Sequence, residues 1–457
     1  MRVRSTPGSR LHGDVAVPGD KSIAQRWLVL AATGRGSSLL VDLPGSLDVR
    51  SMASCLGALS PRARPALEAW ARNDPVPGEG HGSTWNAERP LGSSASLEVE
   101  GEGRIGLAEP EHDLDCGNAG TAMRLLAGVA ASAAFRTVLR GDESLSRRPM
   151  ERVAEPLRAM GASITTVDGH APVIIQGARL VGISYRTPVP TAQVKGAVLF
   201  AGLDAEGTTV VEEAAPTRDH TERALAALGA PVEVRGTTVR LDPFQPEGFA
   251  VRCPGDPSSA AFLIAAAALV ESDLTITDVG LNPSRLRYID VMRRMGLAID
   301  TRLEREELGE PVGDIHIGPS GSLGPVVVAA DELPLVIDEI PVLAMLAVHA
   351  TGETRFAGAN ELRLKETDRL AGVTTGIREL GGAASIENED LLIDGGGLRG
   401  GSTTAGGDHR LAMAFLVGAL AASAPCEIDG MEAAEVSFPG FAQLLRALGA
   451  RIEVTTR

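Results

Sequence analysis

Apolar and polar positions along the chain fall into two alternating patterns. The first places apolar residues at helical spacing, then a glycine, then alternating apolar residues suited to a strand. Copies run from Leu157 to Ile164 (LRAMGASI), Leu225 to Val232 (LAALGAPV), Met292 to Ile299 (MRRMGLAI), Ile377 to Ala384 (IRELGGAA) and Leu445 to Ile452 (LRALGARI), with a weaker sixth around Leu56 and Gly57. The second pattern is an Ala-rich, nearly all-apolar helix that starts at a polar turn. It reads DKSIAQRWLVLAA, GNAGTAMRLLAG, TAQVKGAVLFAG, GDPSSAAFLIAAA, IDEIPVLAMLA and GDHRLAMAFLVGA. A helix apolar on every face belongs in an interior, so each repeat predicts one buried helix, one half-exposed helix and a few strands. The chain is therefore an α/β protein built from six copies of one unit.

The sixth copy reaches Arg457 after a single strand and is short of sheet partners. Two short strands near the amino terminus, Val3 to Thr6 and Asp14 to Val17, have no helix of their own and are expected to complete it. The chain then crosses twice between two lobes, near Pro18 to Lys21 and near Pro243 to Gly248 (PFQPEG). One lobe comprises residues 1–19 and 247–457, the other residues 20–246, with three units in each. Residues 60–95 are rich in Pro, Gly, Ser and charge without sustained periodicity, and read as a surface insertion.

A length of 457 residues gives each lobe enough chain to bury a core. Acidic residues outnumber basic ones 59 to 43, for a net charge of -16. That excludes a sequence-independent nucleic-acid binder, which needs a broad basic face, and makes any anionic ligand depend on a local basic pocket. No apolar run approaches the roughly 18 residues of a membrane span. Cys55, Cys116, Cys253 and Cys426 have no metal-ligand spacing, and the amino terminus lacks a secretory pattern. A cytoplasmic monomer is expected, with neither nucleic acid nor membrane as partner. The 43 basic residues comprise forty arginines and three lysines, Lys21, Lys195 and Lys365. A chain that writes positive charge as arginine and keeps lysine three times marks those positions as candidates for a compact ammonium.

Each apolar helix starts with residues able to meet an anion, because a helix amino terminus offers unpaired N–H groups and partial positive charge. Six such starts facing a gap between lobes would form an anion trap, and their cations should hold the lobes apart until an anion enters. Lys21, Ser22 and Arg26 open the first, with Ser22 and Arg26 one turn apart. Asn118 to Thr121 is a small-residue approach that lets backbone touch a ligand. Of Arg147 and Arg148, one is expected to be plain surface charge. Lys365 and Arg369, at i and i+4, read on their own as a salt-bridged helix stripe. Ile337-Asp338-Glu339 and Asp408-His409-Arg410 place charge at the heads of apolar helices, where a charge without a task is costly. His409 is read there as making a structural hydrogen bond rather than serving as a base.

Nine motifs in order, PGDKSIAQR, DCGNAGTAMR, SRRPM, TAQVKGAVLFAGL, TRDHTE, GDPSSAAF, IDEIPVLA, LRLKETDRL and GDHRLAMAF, resemble the 5-enolpyruvylshikimate-3-phosphate synthase (3-phosphoshikimate 1-carboxyvinyltransferase) family. The similarity covers nearly the whole chain outside the insertion. It implies the enolpyruvyl-transferase fold, two lobes of three repeated α/β units with buried helices and surface sheets. It also implies transfer of a carboxyvinyl group from phosphoenolpyruvate to 3-phosphoshikimate in the shikimate pathway, with small anionic substrates as partners and no metal or other cofactor. Carried over by motif, the shikimate phosphate and ring fall to Lys21, Ser22, Arg26, Thr191, Ala192, Gln193, Arg218, Asp338 and Lys365. Phosphoenolpyruvate falls to Lys21, Gly120, Arg148, Gln193, Arg369 and Arg410. Asp338, Glu366 and Lys21 are the catalytic candidates, and Lys195 is structural. The pattern departs at Ala24-Gln25, Thr191, Glu361 and Val436, the last standing where many members have Lys; arginines are expected to take over that role. The alternatives are a UDP-sugar enolpyruvyl transferase, whose loop typically carries a reactive Cys that Gly141 to Met150 lacks, and a non-catalytic anion-binding protein on the same fold.

Overall fold

The glycine that closes each helix of the first pattern does the same job in all five copies. In a computed structural model describing residues 1–72 and 96–455, Gly161, Gly229, Gly296, Gly381 and Gly449 have φ between +79° and +117°, a region that favours glycine. The residue after each glycine donates its N–H five positions back, as Ala162 does to Leu157 (3.2 Å) and Ala450 to Leu445 (2.9 Å). This closure ends the helix and turns the chain into its strand at the same step every time. The weak sixth copy differs, because Gly57 lies inside the helix Leu47–Leu59 rather than at its end.

Six sheets result. Five have four strands, and the sixth, built from Arg35–Val41, Ser96–Glu102 and Ala250–Arg252, has three among the described residues. Each sheet has one edge strand parallel to its neighbour and antiparallel pairing thereafter. The amino-terminal strands divide between two sheets. Arg2–Ser5 pairs with Cys426–Asp429 and Ile452–Thr455 and completes the last unit as expected. His12–Ala16 does not join it; it runs parallel to Asp273–Gly280 in the fourth unit. Ala250–Arg252, at the other crossing, runs parallel to Arg35–Val41 in the first unit. The two linking segments thus exchange edge strands between the halves of the molecule.

The second pattern gives six helices: α1 (Lys21–Thr33), α2 (Gly120–Ala131), α3 (Ala192–Gly202), α4 (Pro257–Leu269), α5 (Ile340–Val348) and α6 (His409–Ala419). Residues Pro257 to Ala268 of α4 are all buried, as is every residue of α5 and α6. Side chains such as Phe262, Leu263 and Ile264 contribute about 1.5–3 kcal/mol each by leaving water. The helices assemble two hydrophobic cores, one drawn from residues between Ile23 and Cys253, the other from Val3 to Val17 together with Ala260 to Ile452. Close approach needs Gly128, where an added Cβ would lie 2.1 Å from the Ala197 carbonyl oxygen of α3.

The segment expected to be an irregular insertion begins differently. Arg64–Arg72 is a helix that buries Leu67 and Trp70. Two apolar anchors in nine residues are too few to register as periodicity in a stretch dense with Arg and Pro. Residues 73–95 lie outside the described residues.

Candidate functional site

Not all six helix starts are open to an anion. Asp20 accepts from the N–H groups of Ser22 (2.7 Å) and Ile23 (3.1 Å), Asp256 from Ser258 (2.9 Å), and Asp408 from Arg410 (2.8 Å) and Leu411 (3.3 Å). α1, α4 and α6 are therefore already capped by carboxylates. α2, α3 and α5 have no side-chain cap. The expected trap of six starts reduces to three, and Asp20 and Asp408 instead anchor buried arginines, Arg285 and Arg369.

A cavity of about 290 Å³ lies where these elements meet. Lys21 and Ser22 of α1, Gly120, Thr121 and Arg124 of α2, and Thr191, Ala192 and Gln193 at the start of α3 form one wall, with Asn118, Arg148, Arg152, Thr217 and Arg218. The other wall carries Arg285, Asp338, Glu361, Leu364, Lys365, Glu366 and Arg410. Among its lining residues eight are cationic and five acidic, a local excess of positive charge in a chain of net charge -16. That contrast draws in small anions and suits no broad polyanion.

The side chains are held by one another. Gln193 donates to Thr121 Oγ1 (2.8 Å) and accepts from Arg124 (2.5 Å), which also reaches the Pro149 carbonyl (3.1 Å). Arg148 donates to Asn118 (2.6 Å), whereas Arg147 pairs with Glu143 on the surface (2.7 Å). Lys21 Nζ is 2.9 Å from Asp48. Asp338 faces Arg218 (2.6 Å), Lys365 (3.5 Å) and Arg369 (3.8 Å), and its carbonyl accepts from Arg410 (2.9 Å). Glu366 meets Arg369 (2.6 Å) and Arg148 (3.8 Å), and its carbonyl accepts from Ser144 (3.2 Å). Carboxylates therefore answer cations across the gap, contrary to the expectation that like charges hold the walls apart.

These contacts set the charge states. Burial pushes the Asp338 carboxyl up, but Lys365, Arg218, Arg410 and Arg369 outweigh it and hold Asp338 well below the usual carboxylate range. Glu366 is likewise held well below it, burial being overcome chiefly by Arg369, with Arg148 and Lys21. Burial, then the neighbouring Arg148 and Arg152, pushes Arg124 down to about 10. His409 is driven to about 3 by burial and by Lys21, so its imidazole is neutral. Among the described residues its Nε2 has no hydrogen-bond partner, so the structural hydrogen bond expected of it is not made at that atom.

Of the residues expected in the site, Lys21, Ser22, Gly120, Arg148, Thr191, Ala192, Gln193, Arg218, Asp338, Lys365, Glu366 and Arg410 all line the cavity. Arg26 and Arg369 do not. Arg26 lies behind the wall, bonded to Thr221 (2.9 Å) and the Ser22 carbonyl (2.7 Å), and Arg369 is buried between Glu366 and Asp408. Lys365 and Arg369 share no helix stripe: Lys365 follows the short helical turn Ala359–Leu364, and Arg369 begins the helix Arg369–Glu379. Lys195 is buried, as expected of a structural residue. Val436 does not line the cavity. Sequence reasoning passed over Asp48, Arg124, Arg152 and Arg285. Arg124 had a signal, one helical turn beyond Gly120 on the same face; Asp48, Arg152 and Arg285 had none beyond their charge.

Six repeated units around two cores, with an anion-collecting cavity between them, define an enolpyruvyl-transferase scaffold. The enolpyruvyl transferase NikO from Streptomyces tendae shares that fold at TM-score 0.74 and 20% identity, over 100% of this chain and 99% of its own. The chain belongs to the EPSP synthase (3-phosphoshikimate 1-carboxyvinyltransferase) family, whose model matches residues 5–87 and 82–445. A 3-phosphoshikimate 1-carboxyvinyltransferase from Halorhodospira halophila is 44% identical over 456 residues, 99% of this chain and 97% of that protein. An EPSP synthase from Acinetobacter baumannii superposes at TM-score 0.83 with 37% identity, covering 100% of both chains. Among the described residues no helix is long and apolar enough to cross a membrane.

Proposed function

We propose that this chain transfers the carboxyvinyl group of phosphoenolpyruvate to the 5-hydroxyl of 3-phosphoshikimate and releases phosphate. The observation that carries the reading is the cavity itself, where cations exceed acids and two carboxylates, Asp338 and Glu366, stand ionised among arginines and lysines. The hydroxyl oxygen attacks C2 of phosphoenolpyruvate and loses its proton while C3 gains one; the tetrahedral intermediate then loses a proton from C3 as the C2–O bond to phosphate breaks. Shikimate phosphate and ring are assigned to Lys21, Ser22, Thr191, Ala192, Gln193, Arg218, Asp338 and Lys365, with Arg26 behind them. Phosphoenolpyruvate is assigned to Lys21, Gly120, Arg148, Gln193 and Arg410, with Arg369 behind.

Asp338 is the base toward the hydroxyl. Its carboxylate is ionised while Arg218 and Lys365 face it; a substrate phosphate that engages those cations relieves their pull and raises its basicity. Glu366, ionised beside Arg369, is better placed to accept the C3 proton than to supply it, which leaves the Lys21 ammonium as the donor. The lobes of this reading are residues 1–19 with 247–457 and residues 20–246. Both walls of the cavity come from one chain and its four cysteines are buried free thiols, which supports a monomer working in a reducing compartment such as the cytoplasm.

Phosphate release is the test. The purified chain with phosphoenolpyruvate and shikimate 3-phosphate should liberate phosphate, and a UDP-sugar acceptor should not. Release with the UDP-sugar alone would transfer the assignment to the sister reaction, and ligand binding without release would make the chain a metabolite-binding protein.

A further inference from the structure

Two of the three lysines reach the cavity; the third does something else. Lys195 lies on α3 two residues beyond Gln193, is 2% exposed, and places its ammonium 2.6 Å from Glu213 and 2.6 Å from Glu222. Glu213 follows the strand Thr209–Glu212, and Glu222 sits in the first turn of the helix His220–Ala227. The stretch from 213 to 219 between them has no helix or strand, yet it carries Thr217 and Arg218 into the cavity. The second Glu213 oxygen accepts from the Thr217 hydroxyl. Beside Glu222, Thr221 accepts from Arg26 (2.9 Å). A single buried ammonium therefore fastens both ends of the loop.

We propose that Lys195 is a positioning residue that, through Glu213 and Glu222, sets where Thr217, Arg218 and Arg26 stand and so governs affinity for the phosphorylated acceptor rather than for phosphoenolpyruvate. The inference rests on the functional reading above, because Arg218 and Arg26 are the cations assigned there to shikimate 3-phosphate. Two carboxylates at equal distance from one nitrogen is ammonium geometry, and a planar guanidinium cannot occupy the same point without displacing one end of the loop. Removing the charge leaves two buried carboxylates without their shared cation, so both ends of the loop lose their tie to α3. This also explains a lysine in a chain that elsewhere uses arginine.

A residue that served stability alone would, when changed, lower the fraction of active enzyme and leave each KM of that fraction intact. The test is therefore the split between the two KM values in Lys195→Met, Lys195→Arg and Glu222→Gln, with active enzyme counted by burst or tight-ligand titration. Lys195→Met is expected to raise KM for shikimate 3-phosphate about 10-fold or more while kcat and KM for phosphoenolpyruvate stay within about threefold, with Lys195→Arg intermediate. Glu222→Gln, which keeps shape and removes one ionic contact, should raise the same KM about threefold and decides the question if Lys195→Met does not fold. Wild-type KM for shikimate 3-phosphate in these variants overturns the inference. A wild-type enzyme that releases no phosphate overturns the functional reading instead, so the two failures are told apart by the first measurement.

Discussion

Gly120 is the position where one methyl group should separate binding of the two substrates. It opens α2, and its φ is not in the left-handed region, so alanine fits the backbone. An ideal Cβ there would lie 2.9 Å from Arg124 Nη1 and 3.1 Å from Arg148 Nη1, short of the 3.4 Å at which ordinary contact begins. The two guanidinium groups must retreat by about 0.5 and about 0.3 Å, which is cheap for the fold because both are ends of flexible chains. Helix propensity gains at most about 1 kcal/mol from the change. The site, in contrast, loses its set geometry: Arg124 holds Gln193 and the Pro149 carbonyl, and Arg148 is assigned to phosphoenolpyruvate. A misplacement of about 1 Å can lower a rate about 100-fold, so retreats of about 0.3 Å at Arg148 and about 0.5 Å at Arg124 should lower kcat/KM for phosphoenolpyruvate about 4- to 10-fold, or about 0.8–1.4 kcal/mol. The assay is steady-state phosphate release with phosphoenolpyruvate varied at saturating shikimate 3-phosphate, then the reverse, with thermal melts alongside. Gln193, assigned to both substrates, keeps its bond to Thr121, so KM for shikimate 3-phosphate should move less than KM for phosphoenolpyruvate, and Tm should not fall. An unchanged kcat/KM for phosphoenolpyruvate would show that these guanidinium groups do not read it, and a large drop in Tm would show that the methyl strikes something rigid.

Two further predictions concern charge. Asp338→Asn and Glu366→Gln should each lower kcat about 100-fold or more, the usual size of a general acid–base contribution; near-normal turnover in both would remove them from proton transfer. His409, held at about 3 in the fold against an ordinary 6.5, stays neutral while the unfolded chain takes up a proton, so stability should fall as pH drops below 6.5, by about 1.4 kcal/mol per unit. His349, pushed down by burial, adds in the same direction, and the depressed carboxylates Asp338 and Glu366 add theirs only below about pH 4.5. Urea melts at pH 6.5 and 4.5 should therefore show about 2–3 kcal/mol less pH dependence in His409→Gln than in wild type, and an unchanged dependence would mean that His409 protonates freely in the fold.

What was legible in the sequence was local. A glycine in left-handed geometry after an amphipathic helix repeats in five places because each copy solves the same closure by itself, and buried helices announce themselves by lacking a polar face. Partner choice between sheet edges is not local, which is why a strand could be read at Asp14 to Val17 but not assigned to the fourth unit, where His12–Ala16 pairs. The same division holds in the cavity. Lys21 was found because its helix start contains both the turn and the charge, whereas Gly120, Thr191 and Arg410 were assigned through the motifs that carry the family resemblance. Arg285 and Asp48 reach the cavity only through tertiary packing, and around each the sequence reads as an ordinary surface. Asp20, Asp256 and Asp408 each precede a helix by one residue, the signature of an N-cap, and that signature already gives backbone N–H groups at three of the six starts a carboxylate partner, leaving side chains such as Lys21, Ser22 and Arg410 to line the cavity.

The scarcity of lysine gives the composition a consequence that can be measured at Lys21. Lys195 shows one reason to keep the residue, a compact ammonium between two buried carboxylates, but among the described residues Lys21 pairs with one carboxylate, Asp48 at 2.9 Å, and is 22% exposed. Packing alone does not forbid arginine at such a place. A guanidinium there would extend farther, fork onto Asp48 and keep its proton under all conditions, so what it cannot supply is a point charge that releases a proton at C3. Lys21→Arg should preserve the fold and lose about 3 kcal/mol or more of transition-state stabilisation, over 100-fold in kcat/KM, as when one preorganised electrostatic donor is removed. Lys365→Arg, whose ammonium stands 3.5 Å from Asp338, should mainly weaken shikimate 3-phosphate. Arg302→Lys supplies the neutral control, since Arg302 is 79% exposed and pairs only with Glu304 at 2.9 Å among the contacts described. If Lys21→Arg turns over as fast as that control, the argument from composition fails at the residue where it is strongest, and the motif alone is left to place Lys21 in the reaction.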